Sequence, residues 1–78
     1  MPKVPVISAK DFLKYLLKYG CLLINTEGSH FKVENPENGE RTIVPVHGSR
    51  DLDRWFFKMI LNQLGIDVDA FIKFIGKN

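Results

Sequence analysis

Residues 21–33 read CLLINTEGSHFKV, and this stretch decides the fold of the 78-residue chain. The pair Gly28-Ser29 separates two short apolar runs, and glycine at the first central position is typical of a two-residue β-hairpin loop. The stretch therefore predicts two antiparallel strands, residues 21–27 and 30–35. It also places His30 at the start of the outgoing strand, close to solvent.

A turn and a third strand follow the hairpin. The segment Pro36-Glu37-Asn38-Gly39 is composed of turn-forming residues. Residues 40–46 after it are rich in β-branched side chains, which favour a strand. Pro45 has no amide hydrogen to donate and therefore indicates an edge or a terminating position. The sequence thus predicts a three-stranded antiparallel meander.

A helix is predicted before the meander. Ser8 is a typical N-cap, Asp11 three residues later completes a box-like start, and Gly20 is placed to end the helix at about Tyr19. At 100° per residue the apolar side chains Phe12, Leu13, Leu16 and Tyr19 gather on one face. Lysines spaced four apart occupy the opposite face, either as a solvated surface or as a row of phosphate contacts. They are Lys10, Lys14 and Lys18.

Two helices are predicted after the meander. The first covers about 52–64 and stops at Gly65. One side of it is predicted to carry Leu52, Phe56, Met59, Ile60, Gln63 and Leu64. Its polar stripe comprises Arg54, Lys58 and Asn62. Asp67 is placed to cap a short third helix over about 68–75.

This order predicts an α+β fold in one domain, residues 1–78. Helices pack on one face of the three-stranded sheet, and the other face is left to solvent or a partner. We divide the chain into a leader (1–7), a core (8–65) and a C-terminal helix region (66–78).

Composition excludes several classes of protein. The net charge of +2 permits a nucleic-acid partner without requiring one. One cysteine, Cys21, and two histidines in no zinc-binding spacing predict no metal site. The absence of a secretory signal and of a long apolar run predicts no membrane association and a reducing, cytoplasmic compartment.

His30 is the strongest candidate for chemistry. Histidine gives and takes protons near neutral pH, so it can serve as a general acid or base. The alternative is a surface or turn-stabilising residue. His47 is a candidate supporting group that could join the site from the end of the third strand, and its alternative is a loop histidine that caps the turn before the second helix.

Four segments in this order and spacing resemble the HicA family of toxin ribonucleases from bacterial and archaeal toxin–antitoxin modules. The resemblance covers about residues 7–66. The segments are the capped first helix that ends at Gly20, then Gly28-Ser29-His30-Phe31, Thr42-Ile43-Val44-Pro45-Val46-His47 and Ile60-Leu61-Asn62-Gln63-Leu64-Gly65.

The resemblance implies a fold similar to a double-stranded-RNA-binding domain, with the order α-β-β-β-α. It also implies metal-independent cleavage of mRNA, no cofactor, and neutralisation by a HicB-like antitoxin. The family's catalytic histidine falls on His30, with Gly28 and Ser29 as its motif neighbours.

The chain departs from the family pattern at two places. The family commonly carries basic residues just before the glycine, where this chain has Asn25-Thr26-Glu27. The family also tends to open its second helix with a Gly-Thr-Leu-like segment, where this chain has Trp55-Phe56-Phe57.

The sequence therefore predicts an endoribonuclease toxin in which His30 is the general acid or base. Ser29 would bind the phosphate or orient the imidazole, and Gly28 would let the backbone approach the RNA. Lys10, Lys14 and Lys18 would add affinity for the RNA backbone. The alternatives are a non-catalytic RNA-binding domain of the same fold and a plain protein-interaction domain.

Overall fold

The structure, a computed structural model, describes residues 3–48 and 50–77. Residues 1 and 2 of the predicted leader, Ser49 of the loop before the second helix and Asn78 lie outside the described residues. The elements are α1 (Ala9–Tyr19), β1 (Leu22–Glu27), β2 (His30–Asn35), β3 (Glu40–Pro45), α2 (Arg54–Gln63) and α3 (Val68–Lys77). This order confirms the predicted α+β class and the α-β-β-β-α arrangement with a C-terminal helix.

Each helix begins at a side-chain cap. The Asp11 amide donates to Ser8 Oγ at 3.1 Å, which confirms the predicted start of α1. Helix α1 ends at Gly20, whose φ of 127° favours glycine. Helix α2 begins at Arg54, slightly later than predicted, because Asp53 is its cap and accepts from the Trp55 amide at 2.9 Å. Asp67 likewise accepts from the Ala70 amide at 2.9 Å.

The three strands form an antiparallel meander in the order β1-β2-β3. Gly28 has a φ of 57°, and no described non-glycine residue has a positive φ, which is the sign pattern of a type II′ hairpin turn. The register shifts between Leu23 and Asn25, so β1 carries a bulge there. Pro45 ends β3, an edge strand, as predicted.

The helices cover one face of the sheet with an aromatic core. The ring centroid of Phe12 in α1 lies 5.0 Å from that of Phe57 in α2 and 5.6 Å from that of Phe71 in α3. From the sheet, Val33 and Val44 are completely buried against this core. The segment before α1 joins it too, because Ile7 is buried and its carbonyl accepts from the Leu52 amide at 2.7 Å. Packing of three elements around shared rings fixes which sheet face is covered.

The predicted apolar side of α2 is confirmed at Ile60 and Leu64, which are completely buried, and is wrong at Phe56. Phe56 is 38% exposed, whereas Phe57 and Leu61 are completely buried. Two apolar stripes run along this helix, and the stripe that packs has the spacing i, i+3, i+4 and i+7 through Phe57, Ile60, Leu61 and Leu64. Contact with the Phe12 and Phe71 rings selects this stripe, and the sequence of α2 alone does not. The predicted polar stripe of α2 is exposed.

Candidate active site

The sheet face opposite the helices carries His30. Side chains alternate along a strand, so the burial of Val33 and Asn35 assigns their face to the core. His30 and Lys32 therefore point to the other side, which we call the open face. The register places Pro45 opposite His30 and Ile43 opposite Lys32, and Ile43 is 53% exposed.

The β1–β2 turn holds His30 in position. Ser29 is partly buried, and its carbonyl accepts from the Val46 amide at 2.8 Å. This bond ties the turn to the chain that leaves β3. Gly28 is exposed, and no atom lies within 4 Å of the place where a Cβ would stand. A bulky ligand can therefore approach the backbone at Gly28, while the histidine that follows is anchored in a sheet.

A shallow depression surrounds His30 on the open face. It has a volume of about 170 Å³ and is lined by Asn25, Glu27, His30, Lys32 and Ile43. Two of these residues, Lys32 and Ile43, also line a larger open groove of about 790 Å³. That groove continues past Arg41 to the end of α2. His30 thus lies at one end of a continuous surface that is formed by the depression and the groove.

Three of the four polar side chains of the depression are unpaired within the part of the chain that the structure describes. The fourth, Asn25, accepts from the Thr26 amide at 2.9 Å through its Oδ1. Glu27 lies directly opposite His30 in the β1–β2 register, yet no hydrogen bond or ion pair joins the two side chains. Across residues 3–48 and 50–77, the ion pair present joins Arg41 to Glu34 at 2.6 Å. The imidazole of His30, the carboxylate of Glu27 and the ammonium of Lys32 are therefore all available to a ligand.

The lysine row of α1 lies on a different side of the molecule. Lys10, Lys14 and Lys18 are exposed, as predicted for the face of α1 opposite its core contacts. Helix α1 packs in the helix layer, with Phe12 against Phe57 and Phe71, whereas His30 points away from that layer. The sheet therefore separates this row from the depression, and the lysine beside His30 is Lys32.

His47 lies at the same end of the sheet as His30 and does not line the depression around it. It follows Pro45, the register partner of His30, by two residues, and it is exposed. Its carbonyl accepts from the Arg50 amide at 3.3 Å, so the turn there is closed by backbone atoms. The His47 imidazole has no hydrogen bond or ion pair within the described residues.

Sequence patterns did not assign three of the residues that line the depression to the site. They are Asn25, Glu27 and Lys32. The sequence did contain the information needed to place Glu27 beside His30, because a two-residue hairpin pairs the residue before the loop with the residue after it. The register of Glu27 with His30 follows directly from that rule. Asn25 could not be placed this way, because the bulge at Ile24 shifts the register by one residue.

Other chemistries find little support in the described residues. Burial raises the pKa of the Cys21 thiol, so the nucleophilic thiolate is disfavoured. Among residues 3–48 and 50–77, no three His, Cys, Asp or Glu side chains gather where they could hold a metal ion. In the same part of the chain, no helix has the length and apolar character needed to cross a membrane.

Comparison with known proteins identifies related sequences. A family model described as the HicA toxin of bacterial toxin–antitoxin systems matches residues 9–66. The chain is also 36% identical over 56 residues to a protein of Pseudomonas fluorescens (strain Pf0-1) named "Probable mRNA interferase HicA". The aligned region covers 72% of this chain and 90% of that protein. Both matches include the hairpin and the greater part of the fold described above.

Proposed function

The chain belongs to the HicA toxin family, and from this membership we propose that it is an endoribonuclease that cleaves mRNA as the toxin of a toxin–antitoxin pair. A HicB-like antitoxin would neutralise it, and both would act in the cytoplasm, where mRNA is found. The observation that carries the proposal is the position of His30. Its imidazole is exposed, unpaired and anchored beside Lys32 in a depression that opens onto a longer groove.

The chemistry of RNA makes such a small site sufficient. RNA carries its own nucleophile, the 2′-hydroxyl next to each phosphodiester, so the protein must move protons and stabilise charge. A positioned histidine contributes roughly 10²–10⁴-fold to such a reaction. A cation beside the phosphate stabilises the negative charge that grows on its oxygens in the transition state. His30 supplies the first of these contributions and Lys32 the second.

The remaining predicted site residues serve binding. The open space at Gly28 lets the RNA backbone approach the turn, and the Ser29 hydroxyl donates to a phosphate oxygen or orients the imidazole. Lys10, Lys14 and Lys18 bind phosphates of the same RNA away from the cleaved bond. His47, two residues beyond the register partner of His30, contacts the RNA at the end of the sheet.

The decisive experiment compares wild-type protein, His30→Ala and His47→Ala on a structured RNA in the presence of a metal chelator. Cleavage should continue in the chelator, fall by roughly 10²–10⁴-fold in His30→Ala, and change far less in His47→Ala. Circular dichroism should show that all three are folded, since both histidines are exposed. A wild type that shifts RNA in a gel but never cuts it would instead identify a non-catalytic RNA-binding domain.

A further inference from the structure

Glu27 is the acidic residue of the His30 depression and has no partner among the described residues. The β1–β2 register pairs it with His30 across the two-residue turn, so the two side chains share the open face. Directly opposed residues of antiparallel strands have Cβ atoms about 4.5–5.5 Å apart. Both residues line the same 170 Å³ depression. A carboxylate and an imidazole thus line one small site with no ion pair between them.

We infer that Glu27 is a second catalytic residue, the general base that works with His30 as general acid. The inference rests on the proposed ribonuclease function and specifies its proton transfers. In general, a carboxylate carries no proton near neutral pH, whereas an imidazole can carry one. The carboxylate is therefore suited to take a proton and the imidazolium to give one.

The step is balanced with these two groups alone. Glu27 takes the proton of the 2′-hydroxyl, and the 2′-oxygen forms a bond to phosphorus. The bond from phosphorus to the 5′-oxygen breaks, and His30 gives its proton to that leaving oxygen. The products are a 2′,3′-cyclic phosphate and a 5′-hydroxyl. Transfer of one proton from Glu27 to His30 through water restores both groups for the next cycle.

Lys32 fits the same scheme. It is the residue next but one to His30 on the open face, and it lines the depression beside its register partner Ile43. With one carboxylate already in the site, an approaching phosphate needs a nearby cation to offset the repulsion. Lys32 supplies that cation at the non-bridging oxygens. The carboxylate of Glu27 is therefore not simply an obstacle to RNA.

The test uses two versions of one RNA oligonucleotide that wild-type protein cuts at a single bond. In one version the bridging 5′-oxygen at that bond is natural, and in the other it is replaced by sulfur. A sulfur leaving group departs without being protonated, so it removes the need for a general acid but not for a general base. The proteins are wild type, Glu27→Gln, His30→Ala and, as a matched control, Glu37→Gln in the exposed β2–β3 turn.

On the natural substrate kcat should fall by about 10²-fold or more in both Glu27→Gln and His30→Ala. On the sulfur substrate His30→Ala should recover to within about 10-fold of wild type, because its missing proton is no longer needed. Glu27→Gln should show the same deficit on both substrates. Glu37→Gln should match wild type throughout, and circular dichroism should show all four proteins folded.

Four results would overturn the inference. If Glu27→Gln lowers KM and leaves kcat unchanged, Glu27 merely repels phosphate. If sulfur rescues Glu27→Gln and not His30→Ala, the acid and base roles are exchanged. If His30→Ala alone is impaired, the proposed function stands and the second catalytic residue does not, whereas a His30→Ala variant as active as wild type overturns both.

Discussion

The two faces of the sheet use neighbouring residues of the same strands in opposite ways. On β3, Val44 is completely buried under the helices, and the adjacent Ile43 on the open face is 53% exposed. On β2, Val33 is completely buried, whereas His30 is exposed. The covered face holds apolar side chains in contact with three aromatic rings. The open face holds an acid, an imidazole and an ammonium without internal partners in the described chain.

The difference between the two faces shows that stability depends on the covered face, whereas the groups suited to chemistry lie on the open face. A domain of this size buries only a modest share of its surface, so its free energy of unfolding depends on one compact apolar layer. The open face contributes little to that free energy, so it can carry polar groups chosen for a ligand. Substitutions on the two faces should therefore separate cleanly, with losses of stability on one side and losses of activity on the other.

The largest effect on stability should come from Phe12→Ala on the covered face. Phe12 is completely buried and touches both the Phe57 and Phe71 rings, so its removal leaves a cavity that should cost about 3–5 kcal/mol. His30→Ala should change the free energy of unfolding by less than about 0.5 kcal/mol. Urea denaturation of both variants measures the contrast, and Phe12→Leu provides a milder cavity if Phe12→Ala does not fold. Equal losses in Phe12→Ala and His30→Ala would remove the distinction between the faces.

Asn35→Ala tests the hydrogen bonds of a buried polar side chain on the covered face of the sheet. Asn35 is buried, its Nδ2 donates to the Leu64 carbonyl at 2.8 Å, and its Oδ1 accepts from the Glu37 amide at 3.1 Å. Two hydrogen bonds worth about 0.5–1.5 kcal/mol each are lost, so the substitution should cost about 1–3 kcal/mol. The control is Asn38→Ala, because exposed Asn38 donates to the same carbonyl at 3.0 Å. A loss in Asn38→Ala as large as that in Asn35→Ala would show that burial is not the reason.

The adjacent pair in β3 offers the closest comparison of the faces. Val44→Ala should cost roughly 2 kcal/mol, because a buried side chain loses methyl groups in a packed core. Ile43→Ala removes more atoms but should cost less than about 1 kcal/mol, because that side chain is half exposed. Thermal unfolding of the two variants shows which substitution lowers the stability more. If Ile43→Ala proves the more damaging, the open face is packed against something in solution.

The smallest effect should come from the lysine row of α1, which faces away from the depression. Replacing Lys10, Lys14 and Lys18 by Gln should leave the free energy of unfolding and kcat close to wild type. The logarithmic salt dependence of RNA binding should become shallower by about 2, since each phosphate contact to single-stranded RNA contributes about 0.7. Lys32→Gln should instead lower kcat, because Lys32 lies beside His30. A drop in kcat from the triple variant would place the row in the reaction itself.

Local residue patterns predicted the elements of this fold closely. Ser8, Gly20 and Asp67 act within a turn of their own positions, so caps and helix ends could be read directly from the chain. The Gly28-Ser29 loop likewise set the start of β2 and the exposure of His30. The inward face of α2 could be predicted only in part, because Phe56 and Phe57 belong to overlapping apolar stripes and only packing chooses between them.

For this protein the sequence by itself determined the order of elements, the turn and the histidine that the turn presents. Those features depend on contacts between residues close together along the chain. The tertiary structure alone decided that the lysines of α1 lie across the sheet from His30. It also brought Asn25 into the depression through the bulge in β1. Layer packing and strand register set these relations, because they join residues that are distant in sequence.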